Sequence, residues 1–264
     1  MSGLSSDLFR ARIGDQDATV QSARTQSGIR RVVLLVDLSG SMRGQNGTWG
    51  IARAAAGNLL IAGPSTLQVA LVLFSDHIID TIGFDRPASD IVERLAKLER
   101  GKGQTATIDA LAYASSLLSP SNPGDVVYLI TDGGENASKT PRQDVEKSFL
   151  SKRIRLFALV VADRYLYTPE EATSVGLLPE LARMSGGRSI DLVLKSSFKD
   201  TQPEMAADLN HIYDEMSQFY QLQLVIDHPW PKKERLRMDV VDQNGKKRKD
   251  LTLAFPEYLL PCQH

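Results

Sequence analysis

Apolar residues follow two rhythms along this chain. Between residues 32 and 193, unbroken runs of aliphatic and β-branched residues alternate with stretches whose apolar positions recur every three or four residues. The runs lie at 32–36 (VVLLV), 67–74 (LQVALVLF), 125–130 (DVVYLI) and 155–161 (RLFALVV), with a shorter one at 188–193. Such runs are expected of central strands covered on both faces. Residues 77–82, after the Ser75-Asp76 turn, read as an antiparallel edge strand. The helical stretches are 48–62, stopped by Gly63-Pro64, and 90–98, with Asp90 and Glu93 as a capping box and Ile91, Val92, Leu95 and Leu98 as core face. A third leads from Thr107 through Ile108, Leu111, Ala112, Ser115 and Leu118. A fourth opens at Thr140-Pro141-Arg142-Gln143, with Thr140 as N-cap, and a fifth spans 177–185 before Gly186-Gly187. The sixth starts at a second capping box, Thr201 to Glu204, and carries Met205, Leu209, Ile212, Met216 and Phe219. Strands alternating with helices in this way predict an α/β fold, a doubly wound, Rossmann-like and mostly parallel sheet flanked by helices.

Both ends of the chain change to period two. Residues 9–13 and 18–20 flank a Gly-Asp-Gln-Asp turn and predict a hairpin beside the main domain. Residues 221–226, 235–240 and 250–255 each alternate apolar and polar, separated by Pro229-Trp230-Pro231 and Gln243-Asn244-Gly245. They predict a three-stranded antiparallel unit whose Leu222, Leu224, Leu236, Met238, Leu251 and Leu253 pack on the main domain. The expected division is an N-terminal β extension at 1–27, a main domain at 28–220 and a C-terminal β extension at 221–264.

Composition narrows the function. A 264-residue chain with a net charge of −1 has no overall basic bias for nucleic acid, and its Lys232-Lys233 and Lys246 to Lys249 clusters read as solvated hairpin ends. One cysteine, Cys262, excludes an internal disulfide and a cysteine-based zinc site. No apolar run reaches the ~18 residues of a membrane span, and the first residues show no signal-peptide pattern. The four histidines are scattered; His77 beside Asp76 reads as a surface turn residue, and His264 is terminal.

Chemistry concentrates where the first buried strand ends. Asp37, Ser39 and Ser41 sit at alternate positions of one short loop with Gly40 between, at the sheet edge where open α/β folds bind ligands. Three oxygen side chains on one loop can converge on a hard cation such as Mg²⁺, which takes about six oxygens. Two further segments add oxygens: the loop Gly103 to Thr107 before the third helix, and Thr131-Asp132-Gly133-Gly134 at the end of the strand 125–130.

These segments together resemble the von Willebrand factor type A family with its metal-ion-dependent adhesion site, D-x-S-x-S, then a lone Thr, then Asp in a T-D-G turn. The matching positions are Asp37, Ser39, Ser41, Thr105 and Asp132. Thr105 is taken over Thr107 because it comes earlier in the loop, and Thr107 is expected to cap the helix. The resemblance implies Ser39, Ser41 and Thr105 as direct ligands of Mg²⁺ (or Mn²⁺ or Ca²⁺), with Asp37 and Asp132 acting through water. It further implies a non-enzymatic module that captures an Asp or Glu of a partner protein. The β segments at both ends resemble the bacterial von Willebrand A-related subgroup described from acidobacteria, which implies an extracytoplasmic setting. The alternatives are a cytoplasmic scaffold for AAA or chelatase-type motors, and a Mg²⁺-dependent phosphatase with an aspartyl nucleophile. The latter wants a carboxylate general acid two residues after the nucleophile, where this chain has Ser39.

Overall fold

The computed structural model describes residues 3–27, 31–42, 48–98, 101–162, 176–193 and 198–261; Cys262 and His264 lie outside them. The chain opens with β1 (Phe9–Ile13), β2 (Gln16–Ser27) and β3 (Arg31–Asp37), then α1 (Thr48–Ala62), β4 (Gln68–Phe74) and β5 (Ile78–Ile82). There follow α2 (Ala88–Ala96), α3 (Thr107–Leu117), β6 (Val126–Thr131), α4 (Arg142–Lys152) and β7 (Arg155–Ala162). The last elements are α5 (Leu177–Ser185), β8 (Arg188–Val193), α6 (Phe198–Ser217), β9 (Gln218–Val225), β10 (Glu234–Val240) and β11 (Tyr258–Leu259).

Six strands form one sheet in the order β5-β4-β3-β6-β7-β8, parallel except for the antiparallel edge strand β5. The unbroken apolar runs follow from its two covered faces. Val32, Leu34 and Val36 of β3 pack with residues of α1 and α6, while Val33 and Leu35 pack with α3, α4 and α5. Side chains alternate across the sheet, so both sets of positions must be apolar. Each fully buried aliphatic side chain contributes about 1.5–3 kcal/mol relative to exposure, which anchors β3 firmly on both faces. Its starting end is held by Arg31, whose Nε donates to buried Asp125 at 3.0 Å just before β6. Its carboxyl end is left for the site.

The other five strands form an antiparallel sheet ordered β11-β10-β1-β2-β9. This corrects the expected C-terminal three-strand unit. The N-terminal hairpin sits between β9 and β10, pairing Phe9 with Val240 and Thr25 with Tyr220. Residues 250–255 form no strand, and the third C-terminal strand is β11, two residues long. Period two reports which face a residue takes; it does not report which strand lies alongside. The dry face is a small core of Ala11, Ile13, Ala18 and Leu236, with Leu224, Met238, Trp230 and Phe255 partly buried against it. Leu222, Leu251 and Leu253 lie outside that cluster, contrary to expectation. Contact with the helical layer runs through residues 255–258 and through Lys233, whose Nζ donates to Glu146 of α4 at 3.5 Å. Glu257 N–H donates to the Met184 carbonyl (3.1 Å), and Tyr258 packs on the core beneath α4 and α5.

Several helix starts differ from the capping boxes read in the sequence. Pro87 and Pro141 occupy the N-cap positions of α2 and α4, and neither has a side chain to cap with. Asp90 lies within the first turn of α2 and accepts from Arg86 Nε (2.7 Å), and Val92 is 52% exposed rather than core. The Thr201 to Glu204 box falls inside α6, and Phe219 belongs to β9. A proline with φ near −65° pre-organises the first turn without any side-chain cap.

Candidate metal centre

Asp37 ends β3 completely buried, because the ladder to β4 continues one residue beyond it: Leu38 N–H donates to the Phe74 carbonyl at 2.7 Å. Asp37 Oδ1 then accepts from Ser39 N–H at 2.7 Å, a side-chain turn of the kind Asp favours, which swings the chain back across the strand ends. Ser39 is 1% exposed, and its Oγ lies 3.0 Å from Ser41 Oγ. The loop ahead of α3 is laid directly over this turn. Gly40 N–H donates to the Gly103 carbonyl at 3.0 Å, and a Cβ at Gly101 would stand 1.9 Å from the Leu38 carbonyl oxygen. Only glycine permits that approach.

The third segment arrives from β6, the neighbour of β3. Thr131 Oγ1 donates to Asp37 Oδ2 at 2.7 Å and accepts from Gly133 N–H at 3.0 Å. Asp132 is 9% exposed and hydrogen-bonds the Ser41 hydroxyl. A Cβ at Gly134 would lie 3.0 Å from Thr105 Oγ1 and 3.6 Å from Asp132 Oδ1, so the glycine marks where Thr105 and Asp132 close on one another. All five residues singled out in the sequence, Asp37, Ser39, Ser41, Thr105 and Asp132, are thus gathered at one sheet edge.

Two acids share this small buried volume. Burial first, and then the charge of Asp132, push the Asp37 carboxyl up to about 7, against the hydrogen bonds from Thr131 and Ser39 that favour its ionised form. Burial likewise raises Asp132. Asp132 Oδ2 is buried with no hydrogen-bond partner among the described residues. An orphaned carboxylate oxygen beside a second buried acid is costly, and a cation is the simplest group that removes both costs. The donor set of three hydroxyls and two carboxylates is all oxygen, which fits Mg²⁺, Mn²⁺ or Ca²⁺. It holds only two carboxylates, and among the described residues no group of three or more His, Cys, Asp or Glu gathers as a metal cluster. Ser39 stands two residues after Asp37, so the carboxylate acid of an aspartyl-nucleophile phosphatase is absent from that position.

Sequence reading missed the groups that hold the donors in place. Thr107 does not cap α3: its Oγ1 donates to the Gly134 carbonyl at 2.8 Å. The helix start is capped from another segment, with Glu135 Oε2 accepting from Ile108 N–H (2.8 Å) and Ser138 Oγ from Asp109 N–H (3.1 Å). Asn136 Oδ1 accepts from Thr105 N–H at 2.8 Å. The only hint was a polar run, Glu135 to Ser138, directly after the T-D-G turn. His77 is exposed, its Nδ1 2.6 Å from Asp76 Oδ1, in keeping with a turn residue.

A family model described as von Willebrand factor type A domain matches residues 32–135, a span from β3 to just past Asp132 that contains all five candidate ligands. No curated protein matches the chain. Among solved structures it is similar to proximal thread matrix protein 1 from the mussel byssus, a structure with a zinc-occupied MIDAS motif. Identity is 19%, the TM-score 0.58, and the match covers 77% of this chain and 50% of that one. A von Willebrand factor type A protein from Catenulispora acidiphila matches at 16% identity and TM-score 0.52, over 82% of this chain and 51% of the other. BatB, a conserved hypothetical protein from Bacteroides thetaiotaomicron, matches at 17% and 0.52, over 71% of this chain and 98% of its own. At these identities the likeness is one of fold. The chain spans about half the length of the mussel and Catenulispora structures. It carries a von Willebrand factor type A-like domain.

Proposed function

We propose that this chain is a non-enzymatic, divalent-metal-dependent protein-binding module that captures an acidic side chain of a partner at the β3–β6 edge. One observation carries the reading: Asp37 and Asp132 are buried side by side among three hydroxyls, and one Asp132 oxygen has no partner. Ser39, Ser41 and Thr105 would hold the metal directly, and Asp37 and Asp132 would act through water. When bound, a divalent cation supplies a strong local positive charge for a partner carboxylate. Mg²⁺ is the expected ion, with Mn²⁺ and Ca²⁺ as substitutes. The chain's own contribution is orientation: β3 and β6 are buried on both faces, and the loops that carry the donors are hydrogen-bonded to one another through Gly40 and Gly103, Thr131 and Asp37, and Asn136 and Thr105. A hydroxyl-rich set leaves the ion less neutralised than a carboxylate cage would, which favours an anionic partner.

An extracytoplasmic setting, in the manner of the bacterial subgroup with β segments at both ends, belongs to the same reading, and cell fractionation of the native protein tests it. The binding reading is tested by melting curves with Mg²⁺ and with chelator for wild type and Asp37→Ala. A ligand that binds only the folded state stabilises it by RT ln(1 + [L]/Kd). Mg²⁺ should raise the wild-type Tm and leave the variant unmoved. An equal rise in both would place the ion elsewhere, and a phosphatase activity lost with Asp37 would overturn the non-enzymatic reading.

A further inference from the structure

The donor that lies furthest from the β3–β6 pair in the chain is Thr105, which belongs to neither strand. It precedes α3 in a loop whose geometry is not helical; the next residue, Ala106, has φ −107° and ψ 63°. Some other part of the molecule has to hold it. The segment after Asp132 does so. Asn136 Oδ1 accepts from Thr105 N–H at 2.8 Å, while Asn136 N–H and Ala137 N–H donate to the Thr105 carbonyl at 2.9 and 3.1 Å. Both backbone polar groups of a 3%-exposed residue are therefore committed to two consecutive residues of one turn. That turn begins four residues before Asn136, at Asp132, whose Oδ1 accepts from Gly134 N–H at 3.4 Å.

We infer that Asn136 is the positioning residue of the metal centre. Its side chain and main chain clamp Thr105 to the turn that carries Asp132, so that two donors from separate segments move as one unit. This rests on the metal-binding reading above. Its physical basis is the all-oxygen set itself. A neutral hydroxyl is a weak donor that contributes only when already in place, and Thr105 has no charge with which to find the ion. Without the amide oxygen, Thr105 N–H would be buried without an acceptor, and the loop would have to open toward water to satisfy it. Glu135 and Asp109 make parallel ties at a greater remove. Glu135 Oε2 caps α3 at Ile108, and the Asp109 carboxylate accepts from Lys139 N–H and Thr140 N–H at 3.0 and 2.7 Å. Neither touches Thr105, which makes Asp109 a matched structural control.

Removing a residue that orients a metal donor typically costs about 10–100-fold in metal affinity. Isothermal titration of the full chain with Mg²⁺ should show that loss for Asn136→Ala and for the apolar Asn136→Leu. Asp109→Ala should lose a comparable amount of Tm in chelator yet keep its Mg²⁺ affinity within about threefold, well short of that range. Asn136→Asp keeps an acceptor oxygen and should bind Mg²⁺ at least as well as wild type. Amide hydrogen exchange in chelator is the second readout: Asn136→Ala should speed exchange at Thr105, and Asp109→Ala should not. If Asn136→Ala binds Mg²⁺ like wild type, or if Asp109→Ala loses as much affinity, the clamp is wrong while the metal site stands. A wild type that shows no Mg²⁺ heat and no Mg²⁺-dependent rise in Tm removes the metal site, and this role with it.

Discussion

The six-stranded sheet is built from aliphatic runs and the five-stranded sheet from alternating apolar and polar residues, and they differ in what they can carry. In the six-stranded sheet, β6 is buried at every position and β3 at every position after Arg31. In the five-stranded sheet, β1 alternates buried and exposed, and β9 is nowhere fully buried. A strand packed on both faces cannot shift register or tilt without disturbing two cores, so its end is a fixed point in space. A strand with one wet face is held by half as many neighbours. The difference explains why the candidate ligands follow the ends of β3 and β6 and the loop ahead of α3 laid over them, while the antiparallel sheet holds none of them.

The largest expected effect comes from cutting a hole beneath the site. Leu35→Ala should destabilise the protein by about 3–5 kcal/mol, because its fully buried side chain lies between β3 and α3 with no solvent to fill the gap. Leu224→Ala, partly buried in the smaller core, should cost about 1 kcal/mol. Chemical denaturation measures both, and equal losses would dissolve the distinction between the sheets.

Next in size is the buried acid pair. The folded protein holds the Asp37 proton up to about 7, above the usual carboxylate range, so it binds more protons than the unfolded chain across that interval. Asp37's contribution to stability is thus fully present below about pH 4 and is lost as the pH rises toward 7. In chelator, Asp37→Asn should therefore gain on wild type as the pH is raised from 4 to 7.5, by an amount on the order of 2 kcal/mol. Mg²⁺ should reverse the ordering at pH 7.5, since a metal needs the carboxylates deprotonated. A pH-independent gap between the two proteins would mean that the site does not titrate as described.

The smallest effect lies where the sheets meet. Glu257 takes Arg183 of α5 and Arg235 of β10 (3.0 Å), and both arginines are more than half exposed. Glu257→Gln should cost under about 1 kcal/mol, and the cost should shrink further in high salt. A larger, salt-insensitive loss would show that Glu257 holds the antiparallel sheet through more than exposed ion pairs.

Short, β-branched apolar runs that end in turn residues read as central strands, and this is why residues 32–36 and 125–130 were legible as the frame of the fold from sequence. Asp37, Ser39, Ser41 and Asp132 were legible for a related reason: a carboxylate or hydroxyl directly after such a run must sit at the sheet edge. Thr105 was less legible, since nothing within its own loop distinguishes it from Thr107.

What the amino-acid order determined by itself was the frame of the six-stranded sheet: its buried strands, the helices between them, and which residues end β3 and β6. Only the tertiary structure decided which strands became neighbours at the chain ends, and how the loops support one another. The hairpin of residues 9–27 enters between β9 and β10, more than 190 residues away in sequence in each pairing. Glu135 caps a helix that begins 28 residues before it, and Asn136 holds Thr105 across 31 residues. The reason is the same in each case. A hydrogen bond between distant segments leaves no period in the sequence, because either partner alone is an ordinary polar residue until folding brings the other to it.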